Sequence, residues 1–339
     1  MDKILTIVVP AYNAEAYLRD NLESFCIDEI LEDIDVLVVN DGSTDGTAAV
    51  AEGYMKQYPG TFRIITKENG GHGSGINCGI QNARGKYFKV VDADDWVERE
   101  AFIKLVLALK KRNSDIVYSG FYWVFDDGDS KKEDFQKKVE MKTPFANVDY
   151  EKEYRFNDIA DKLYVKMHNM TIRTEILRNH GIPIDENCYY VDTEYITYPI
   201  PYVETISFVD GFVYMYRIGR QGQSVGIERM QRNQKNYDRV IESLLKFYSD
   251  LGSRTGCSKE KKRYIANIIA RVVAGKIKIM LSFPASKEKQ QELREFDENL
   301  KHYYPEIYLC NINRAVRALR KTGYVLYYPA SLLVRRTYK

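Results

Sequence analysis

The first 120 residues alternate between short apolar runs and amphipathic segments. The run Ile4 to Val9 is continuous and apolar, which is typical of a β-strand buried on both faces. Between such runs, apolar residues recur at helical spacing, as in Asn13 to Cys26. The pattern predicts strands at 4–9, 34–39, 62–66, 87–91 and 115–119, and helices at 13–26, 45–58, 75–83 and 102–112. This alternation predicts an α/β fold with a mostly parallel central sheet flanked by helices.

Beyond residue 120 the pattern changes twice. Residues 121–152 are polar and irregular, and apolar runs on either side of Asp210-Gly211 predict a β-hairpin over 205–216. Helical spacing is found at 157–165, 173–180, 229–251, 259–283, 287–302 and 311–322. We therefore expect an α/β domain over residues 1–217, followed by a basic helical C-terminal region over residues 218–339.

Composition and charge limit the classes of function. Hydrophobic residues make up 45% and charged residues 29%, as in a globular protein. Five scattered cysteines without a CxxC pair argue against a disulfide framework or a zinc site. No signal-like segment opens the chain and no run approaches the roughly 18 apolar residues of a membrane span, so we expect a cytoplasmic location.

The net charge of +2 conceals an asymmetry. Residues 218–339 contain 25 basic and 11 acidic residues, against 25 and 37 in residues 1–217. The acidic part could hold a metal ion, and the basic part could face phosphate or anionic lipid.

Polar clusters follow three of the predicted strands, at Pro10–Asn13, Asn40–Asp45 and Asp92–Asp95. Because the carboxyl ends of parallel strands meet at one edge of a sheet, these clusters should converge. Asp92 and Asp94 would repel each other without a cation, and Mg²⁺ or Mn²⁺ prefers such oxygen ligands and bridges them to phosphates. Asp95 either belongs to this site or caps a helix that begins near Val97.

The first two clusters suit a nucleotide base. Asp41 can accept a hydrogen bond from a base N–H such as uracil N3, and Gly42 permits the turn after it. Tyr12 offers a ring that can stack on the base, or that packs in its loop. Thr44 or Asp45 can cap the next helix, and for Asp45 we favour capping.

Taken together in this order and spacing, the three blocks resemble the inverting family 2 glycosyltransferases, which have the GT-A fold. The resemblance rests on Val8–Asn13, Val39–Asp45 and Gly85–Phe88 leading to Asp92–Asp95, and a weaker match continues to Arg217. It implies a GT-A catalytic domain over 1–217, with a nucleotide-sugar-binding half at 1–120 and an acceptor half at 121–217. It also implies metal-dependent transfer from a nucleotide-diphosphate sugar, with a UDP-sugar favoured, to an acceptor hydroxyl.

The resemblance implies roles by position. Pro10, Tyr12 and Asp41 would form the base pocket. Asp92 would approach the donor ribose or the metal ion, and Asp94 would ligate Mn²⁺ or Mg²⁺. In the family segment Asn-x-Gly-x-x-x-Ala-Arg-Asn, this chain keeps Asn69, Gly71 and Asn77 as donor-binding candidates but has Ile76 in place of the arginine.

An inverting transfer needs a general base for the acceptor hydroxyl. The stretch Tyr190 to Glu194 resembles the acceptor-side segment that usually carries Glu-Asp, with Val191 at the Glu position and Asp192 at the Asp position. We predict Asp192 as the base, with Glu194 in reserve. The alternative for Asp192 is a carboxylate that stabilises a helix N-terminus.

Other polar residues carry weaker expectations. Arg217 and Arg220 resemble a mobile loop that closes on the diphosphate, or else lie in a solvated linker. The four histidines, at 72, 168, 180 and 302, are dispersed and are predicted to be structural or exposed, with His168 near the acceptor side.

The end of the chain is basic and aromatic. After Glu306 there is no acidic residue, but there are seven basic ones: Arg314, Arg317, Arg320, Lys321, Arg335, Arg336 and Lys339. They flank an apolar, tyrosine-rich stretch at 324–334, which suits an interfacial anchor on the cytoplasmic face of an anionic membrane. The hypothesis is a peripheral enzyme that extends a glycan or lipid-linked acceptor in cell-surface polysaccharide or glycolipid synthesis. The alternatives are packing on the catalytic domain and a homo-oligomer contact.

Two rival functions remain. A nucleotidyltransferase that makes the sugar nucleotide would use a similar sheet, but Pro10 to Glu15 lacks the basic residues that would activate a triphosphate. A non-catalytic nucleotide-sugar-binding protein would not need the carboxylates Asp41, Asp92, Asp94 and Asp192. We expect no nucleic-acid partner.

Overall fold

A computed structural model describes residues 3–126, 132–139, 148–219, 227–252 and 257–337. The chain divides into two compact units. The first, which we call the sheet unit, contains Met1–Ile159 and Val165–Gln221. The second, which we call the helical unit, contains Ala160–Tyr164 and Gly222–Lys339.

The sheet unit is built on one mixed sheet. Its strands are β1 (Leu5–Ala11), β2 (Ile34–Asp41), β3 (Phe62–Lys67), β4 (Tyr87–Val90), β5 (Trp96–Val97), β6 (Ile116–Phe125), β7 (Gln136–Val139), β8 (Glu153–Arg155), β9 (Met170–Arg173) and β10 (Thr205–Ile218). The spatial order is β3-β2-β1-β4-β9-β6-β10-β5, with β7 beside β6 and β8 beside β10. The first four strands run parallel, as does the pair β6 and β10, whereas β5, β7, β8 and β9 pair antiparallel.

Helices cover the sheet and connect its parallel strands. They are α1 (Glu15–Glu23), α2 (Thr47–Gln57), α3 (Gly71–Asn82), α4 (Arg99–Lys111), α5 (Phe156–Ile159), α6 (Thr174–Asn179) and α7 (Asp192–Thr197). Strands β1 and β2 are buried almost throughout, as their continuous apolar runs predict. The α/β fold predicted from the sequence is confirmed, with a sheet that is parallel over β1 to β4 and mixed beyond them.

One local prediction is wrong, and one of the alternatives left open is excluded. Residues 205–218 form the single strand β10, which pairs in parallel with β6, and not a hairpin. The pairing register shifts between Phe208 and Phe212, so Asp210-Gly211 marks an irregularity within a strand and not a chain reversal. Asp95 does not cap a helix, because α4 begins at Arg99 and the Glu98 carboxylate accepts the hydrogen bond from the Ala101 N–H.

The helical unit contains α8 (Ile227–Arg232), α9 (Gln234–Asp250), α10 (Lys259–Ser282), α11 (Lys287–Tyr303), α12 (Pro305–Cys310), α13 (Arg314–Lys321) and α14 (Tyr327–Thr337). Helix α10 is the most buried, and α9, α12 and α14 pack on it. Side chains of Ser258, Ser286 and Asn313 cap α10, α11 and α13. Among the described residues, no helix combines the length and the apolar character needed to cross a bilayer.

Candidate functional site

The polar clusters of the first two strands meet at the carboxyl edge of the sheet. Asn13, which has a positive φ of 47°, donates its backbone N–H to Ser43 Oγ (3.0 Å) and accepts from the Thr44 N–H at its own Oδ1 (2.9 Å). Asp45 accepts hydrogen bonds from the Thr47 and Glu15 N–H groups at the starts of α2 and α1. Tyr12 lies beside them with its side chain 55% exposed, so the ring is open to a ligand.

Asp41 organises the start of α3. Its buried carboxylate accepts hydrogen bonds from the backbone N–H groups of Gly70 (3.0 Å) and Gly71 (2.7 Å), and it pairs with Lys67 Nζ at 2.9 Å. Asn69 donates to the Asp41 carbonyl oxygen. Asp41 therefore holds the Gly70-Gly71 turn against β2, in addition to any contact with a ligand.

The glycines of α3 allow close packing in the sheet unit. A Cβ at Gly75 would lie 2.8 Å from Pro10 Cβ, and one at Gly73 would lie 2.2 Å from the Asp185 carbonyl oxygen. Ile76, which replaces the family arginine, is fully buried and cannot reach a donor. Here the glycines bring Pro10 and the chain around Asp185 against the helix.

Asn77 fastens the same acceptor-side chain to α3. Its amide donates to the Ile184 carbonyl oxygen (2.9 Å) and accepts from the Ile184 N–H (3.0 Å). The Asn187 N–H donates to the Gly70 carbonyl oxygen, and Asn187 has a positive φ of 52°. The segment that leads to Asp192 is therefore held by the start of α3.

Asp92 forms an ion pair with His72. His72 Nε2 lies 2.8 Å from Asp92 Oδ1, and both side chains keep contact with solvent, at 32% and 26% exposure. Burial opposes a charged imidazole at His72, but the neighbouring carboxylates, Asp92 first, outweigh it and raise the His72 pKa. Burial likewise opposes a charged Asp92, yet His72 holds the pKa of Asp92 below its usual value. Asp92 is thus an accessible carboxylate of the Asp92–Asp95 cluster.

Asp95 has a different environment. It is 1% exposed, and its two oxygens accept hydrogen bonds from the Tyr214 hydroxyl (2.5 Å) and the Arg217 N–H (2.7 Å). Burial and the charge of Asp92 raise the pKa of Asp95 well above the usual range. Asp94, between them, is half-buried.

His168 joins this cluster from a different part of the chain. Ligand atoms of Asp92, Asp95 and His168 lie within 4.8 Å of one another. Burial lowers the pKa of His168 to about 3, so its ring is neutral, and its buried Nδ1 has no hydrogen-bond partner within the described ranges. A neutral imidazole nitrogen beside two carboxylates is a donor set that fits a divalent cation.

Asp192 and Glu194 differ sharply in accessibility. Asp192 begins α7, two residues after Tyr190, which has a positive φ of 69°. Solvent reaches the Asp192 side chain, but protein atoms crowd it, and this burial raises its pKa to about 6, with His72 opposing and Asp92 supporting the shift. Glu194 is fully buried, and its Oε2 accepts from the Asp185 N–H (2.8 Å). Asp192 is the better placed of the two to meet an acceptor.

The predicted loop position of Arg217 is wrong. Arg217 lies in β10 at 5% exposure, and its guanidinium pairs with Asp126 and Asp20 at 3.1 Å each. It also stacks near the Trp96 ring, at 4.9 Å from the ring centre. Strand pairing with β6 extends further than the sequence pattern indicates, and this carries Arg217 into the core. Arg220 lies outside the described residues.

Sequence reasoning missed both histidines of the site. His72 is the second residue of α3, and its imidazole contacts Asp92, which follows β4. His168 is placed by Lys89, whose buried Nζ donates to the His168 carbonyl oxygen (2.9 Å). Nothing local marks either residue, since both contacts link positions that are at least 20 residues apart in sequence.

Comparisons with known proteins agree with this fold. The family model described as glycosyl transferase family 2 matches residues 6–181, more than half of the chain. The uncharacterized glycosyltransferase EpsJ of Bacillus subtilis (strain 168) is 24% identical over 266 residues, which cover 78% of this chain and 75% of that protein.

Solved structures are similar in fold. TarS 1-349 of S. aureus in complex with UDP superposes with a TM-score of 0.62 at 17% identity, covering 99% of this chain and 91% of that one. TarS has also been solved with UDP-GlcNAc. The mannosyltransferase PcManGT of Pyrobaculum calidifontis, in complex with GDP-Man and Mn²⁺, gives a TM-score of 0.50 at 14% identity, covering 99% and 87%.

Proposed function

The chain belongs to glycosyl transferase family 2, and we propose that this glycosyltransferase passes a sugar from a UDP-sugar to an acceptor hydroxyl with inversion, in the presence of a divalent metal ion. The observation that carries the proposal is the meeting of Asp41, Asp92 and Asp192 around the first turn of α3. Asp41 holds that turn, His72 within it pairs with Asp92, and the charges of His72 and Asp92 reach Asp192.

The donor base is proposed to bind at the ends of β1 and β2. Tyr12 presents an exposed ring for stacking, and Pro10 forms a rigid floor packed on Gly75. Asp41 is buried, and its two oxygens already accept hydrogen bonds from Gly70, Gly71 and Lys67, so it is proposed to fix the pocket by holding the Gly70-Gly71 turn. The UDP and UDP-GlcNAc complexes of TarS support a uridine donor.

The diphosphate is proposed to lie at Asp92 and Asp94. A bound Mn²⁺ or Mg²⁺ would neutralise the charge that grows on the diphosphate leaving group. Asp92 and Asp94 are the proposed ligands, and the Asp92–Asp95–His168 cluster is the alternative set. Asp95 is the weaker candidate because both of its oxygens already accept hydrogen bonds. The Mn²⁺ in the PcManGT complex supports a divalent ion.

Asp192 is proposed as the general base. In a single displacement, the acceptor hydroxyl attacks the anomeric carbon, the bond from that carbon to the diphosphate breaks, and the hydroxyl proton passes to Asp192. Asp192 suits this step because solvent reaches it and its pKa of about 6 leaves it ionised at neutral pH. Buried Glu194 would position the Asp185 segment and not take the proton. Arg217 is proposed to brace β10 through its ion pairs. Asn69 and Gly71 would act on the donor through the turn that they hold against Asp41, and Asn77 through the Ile184 segment that it fastens to α3.

A thermal-shift panel tests the donor assignment. Ligands that bind only the folded protein raise its Tm, so UDP and UDP-sugars should raise it more with Mn²⁺ than without. Asp92→Asn should lose the Mn²⁺-dependent part of the shift. A panel in which GDP shifts the Tm and UDP does not would contradict the uridine assignment. Release of pyrophosphate from UTP and a sugar phosphate would instead favour a nucleotidyltransferase.

A membrane-surface location is proposed from the end of the helical unit. Helix α14 includes Pro329 in its first turn, where proline is tolerated. Val325 (75% exposed), Leu332 (48%) and Leu333 (67%) are open to solvent, and the two leucines lie within four residues of the exposed basic residues Arg335 and Arg336. Exposed apolar side chains beside basic ones suit an anionic membrane surface, where a lipid-linked acceptor of a cell-surface glycan would be found.

Arg320 is not part of that basic surface, because its side chain is engaged within the helical unit. Arg320 makes a two-pronged ion pair with fully buried Asp297 (2.6 and 2.8 Å) and stacks on Tyr308 at 3.6 Å. Lys339 lies outside the described residues. The other charges could each contribute about 1 kcal/mol at an anionic surface, weakened by salt.

Vesicle co-sedimentation tests the location. The full-length protein should bind anionic vesicles at low salt, and Leu332→Ser combined with Leu333→Ser should reduce binding. The matched control, Leu309→Ser with Ile312→Ser, removes two apolar side chains of the same unit that are at least as exposed (78% and 67%), and it should leave vesicle binding unchanged. Equal binding by all three proteins would exclude the anchor, and so would no binding by the unaltered protein.

A further inference from the structure

The helical unit contains a polar cavity of about 460 Å³ that shares no residue with the candidate active site. One wall is a face of α10 that carries Arg263, Asn267 and Arg271. These positions are four residues apart, so they line up along one side of the helix, with the two arginines about 12 Å apart along its axis. The volume falls within the range of about 300–1,000 Å³ that is usual for ligand pockets.

The guanidinium groups of Arg263 and Arg271 are free to bind an anionic ligand. Both are exposed, and within the part of the chain that the structure describes neither guanidinium pairs with a carboxylate. Arg271 lies over the ring of Tyr164, 4.3 Å from its centre, which fixes the direction of its side chain. Asp161 also lines the cavity but makes no ion pair with either arginine among the described residues. The cavity therefore keeps an excess of positive charge.

Another wall is the loop between α12 and α13. Asn311 donates to the Ala270 carbonyl oxygen (3.1 Å) and accepts from the Asn313 N–H (3.0 Å), which holds the loop on α10. Asn313 Oδ1 caps α13, so the loop is fixed on both sides. Asn267 is half-buried, and its side-chain amide has no hydrogen-bond partner among the described residues. Its amide can both donate to and accept from a ligand hydroxyl.

From this arrangement we propose that the cavity binds a short anionic saccharide, a hydroxylated chain that bears phosphate or carboxylate groups. Each guanidinium donates two parallel hydrogen bonds to an oxyanion, and their separation suits two charged groups on one chain. The Asn267 amide, midway between them, contacts the hydroxyls. A single inorganic anion would engage one arginine and leave most of the cavity empty. The site lies outside the transfer reaction and does not depend on it.

Calorimetric titration without donor or metal tests the site. The probes are trigalacturonate, maltotriose phosphate, neutral maltotriose and inorganic phosphate. One of the charged trisaccharides should bind at least about tenfold more tightly than both maltotriose and inorganic phosphate. Arg263→Gln with Arg271→Gln should weaken that binding at least about tenfold at an unchanged Tm. Arg314→Gln with Arg317→Gln, which removes two exposed arginines of the same unit that do not line the cavity, should leave it unchanged.

A vesicle arm separates this site from the membrane surface. The Arg263/Arg271 variant should keep its binding to anionic vesicles, and the Arg314/Arg317 variant should lose part of it. Three outcomes would overturn the proposal: equal binding of charged and neutral trisaccharides, equal weakening by both variant pairs, or binding of inorganic phosphate alone. Loss of vesicle binding by the Arg263/Arg271 pair, with no trisaccharide bound, would assign the cavity to lipid headgroups instead.

Discussion

Replacing Gly73 by alanine should displace the chain that leads to Asp192. The new Cβ would lie 2.2 Å from the Asp185 carbonyl oxygen, and that oxygen would have to retreat by roughly 1 Å to reach ordinary contact. If the segment moves, it strains the two hydrogen bonds between Asn77 and Ile184, at about 1 kcal/mol each. If it stays, the overpacking costs about 1–3 kcal/mol.

Either response costs about 2 kcal/mol, against a helix-propensity gain of about 1 kcal/mol for alanine over glycine. We therefore expect Gly73→Ala to lower the free energy of unfolding by about 1 kcal/mol. A shift of about 1 Å at a reacting group can lower a rate by about 100-fold. We therefore expect the rate of UDP release to fall by up to about 100-fold, although the free energy of unfolding changes little. Binding of UDP, which depends on β1 and β2, should be retained.

The assays are thermal unfolding, calorimetric UDP binding and UDP release from a UDP-sugar with Mn²⁺. Gly53→Ala is the matched control, because Gly53 lies in α2 and a Cβ there has nothing within 4 Å. It should stabilise the protein by about 0.4–1 kcal/mol and leave UDP release unchanged. A Gly73→Ala protein that releases UDP at the unaltered rate would refute the proposed support of Asp192 by α3.

Three further predictions concern the metal ion, pH and stability. Asp94→Asn should keep the fold and lose Mn²⁺-dependent UDP binding in calorimetry. If Asp94→Asn instead binds UDP fully with Mn²⁺ and His168→Ala does not, the ion binds at the cluster of Asp92, Asp95 and His168. UDP release should rise with pH through about 6 and then level off, because Asp192 accepts a proton only when ionised, and a flat profile across that range would contradict its role as base. Arg320→Met should destabilise the helical unit by about 3–5 kcal/mol in denaturant unfolding, since it leaves buried Asp297 without its cation, and a change below about 1 kcal/mol would contradict this.

The strand ends were predictable because topology dictates them. Once β1, β2 and β4 are recognised as parallel, Tyr12, Asp41 and Asp92 must lie at one edge of the sheet. The continuous apolar runs along the chain then indicate the buried core of each of these strands. These features depend on local pattern and on a general rule of sheets, so one sequence suffices.

Features set by distant contacts were not predictable. The polar and glycine residues that follow Arg217 in the sequence are typical of a flexible loop. Strand pairing with β6 nevertheless places Arg217 in the core between Asp20 and Asp126. His72 becomes a site residue only because Asp92 faces it. The glycines at 73 and 75 make room for the chain around Asp185 and for Pro10, and nothing in their local sequence indicates those contacts.

The measurement that tests the central claim most directly is donor binding and UDP release by Asp192→Asn. The substitution keeps the shape of the side chain and removes the proton acceptor, so the variant should bind UDP-sugar with Mn²⁺ as the unaltered protein does. Its UDP release should fall by about 10²–10⁴-fold. Release by Asp192→Asn near the unaltered rate, with Glu194→Gln inactive at normal donor binding, would show that the base is the wrong carboxylate and contradict the account.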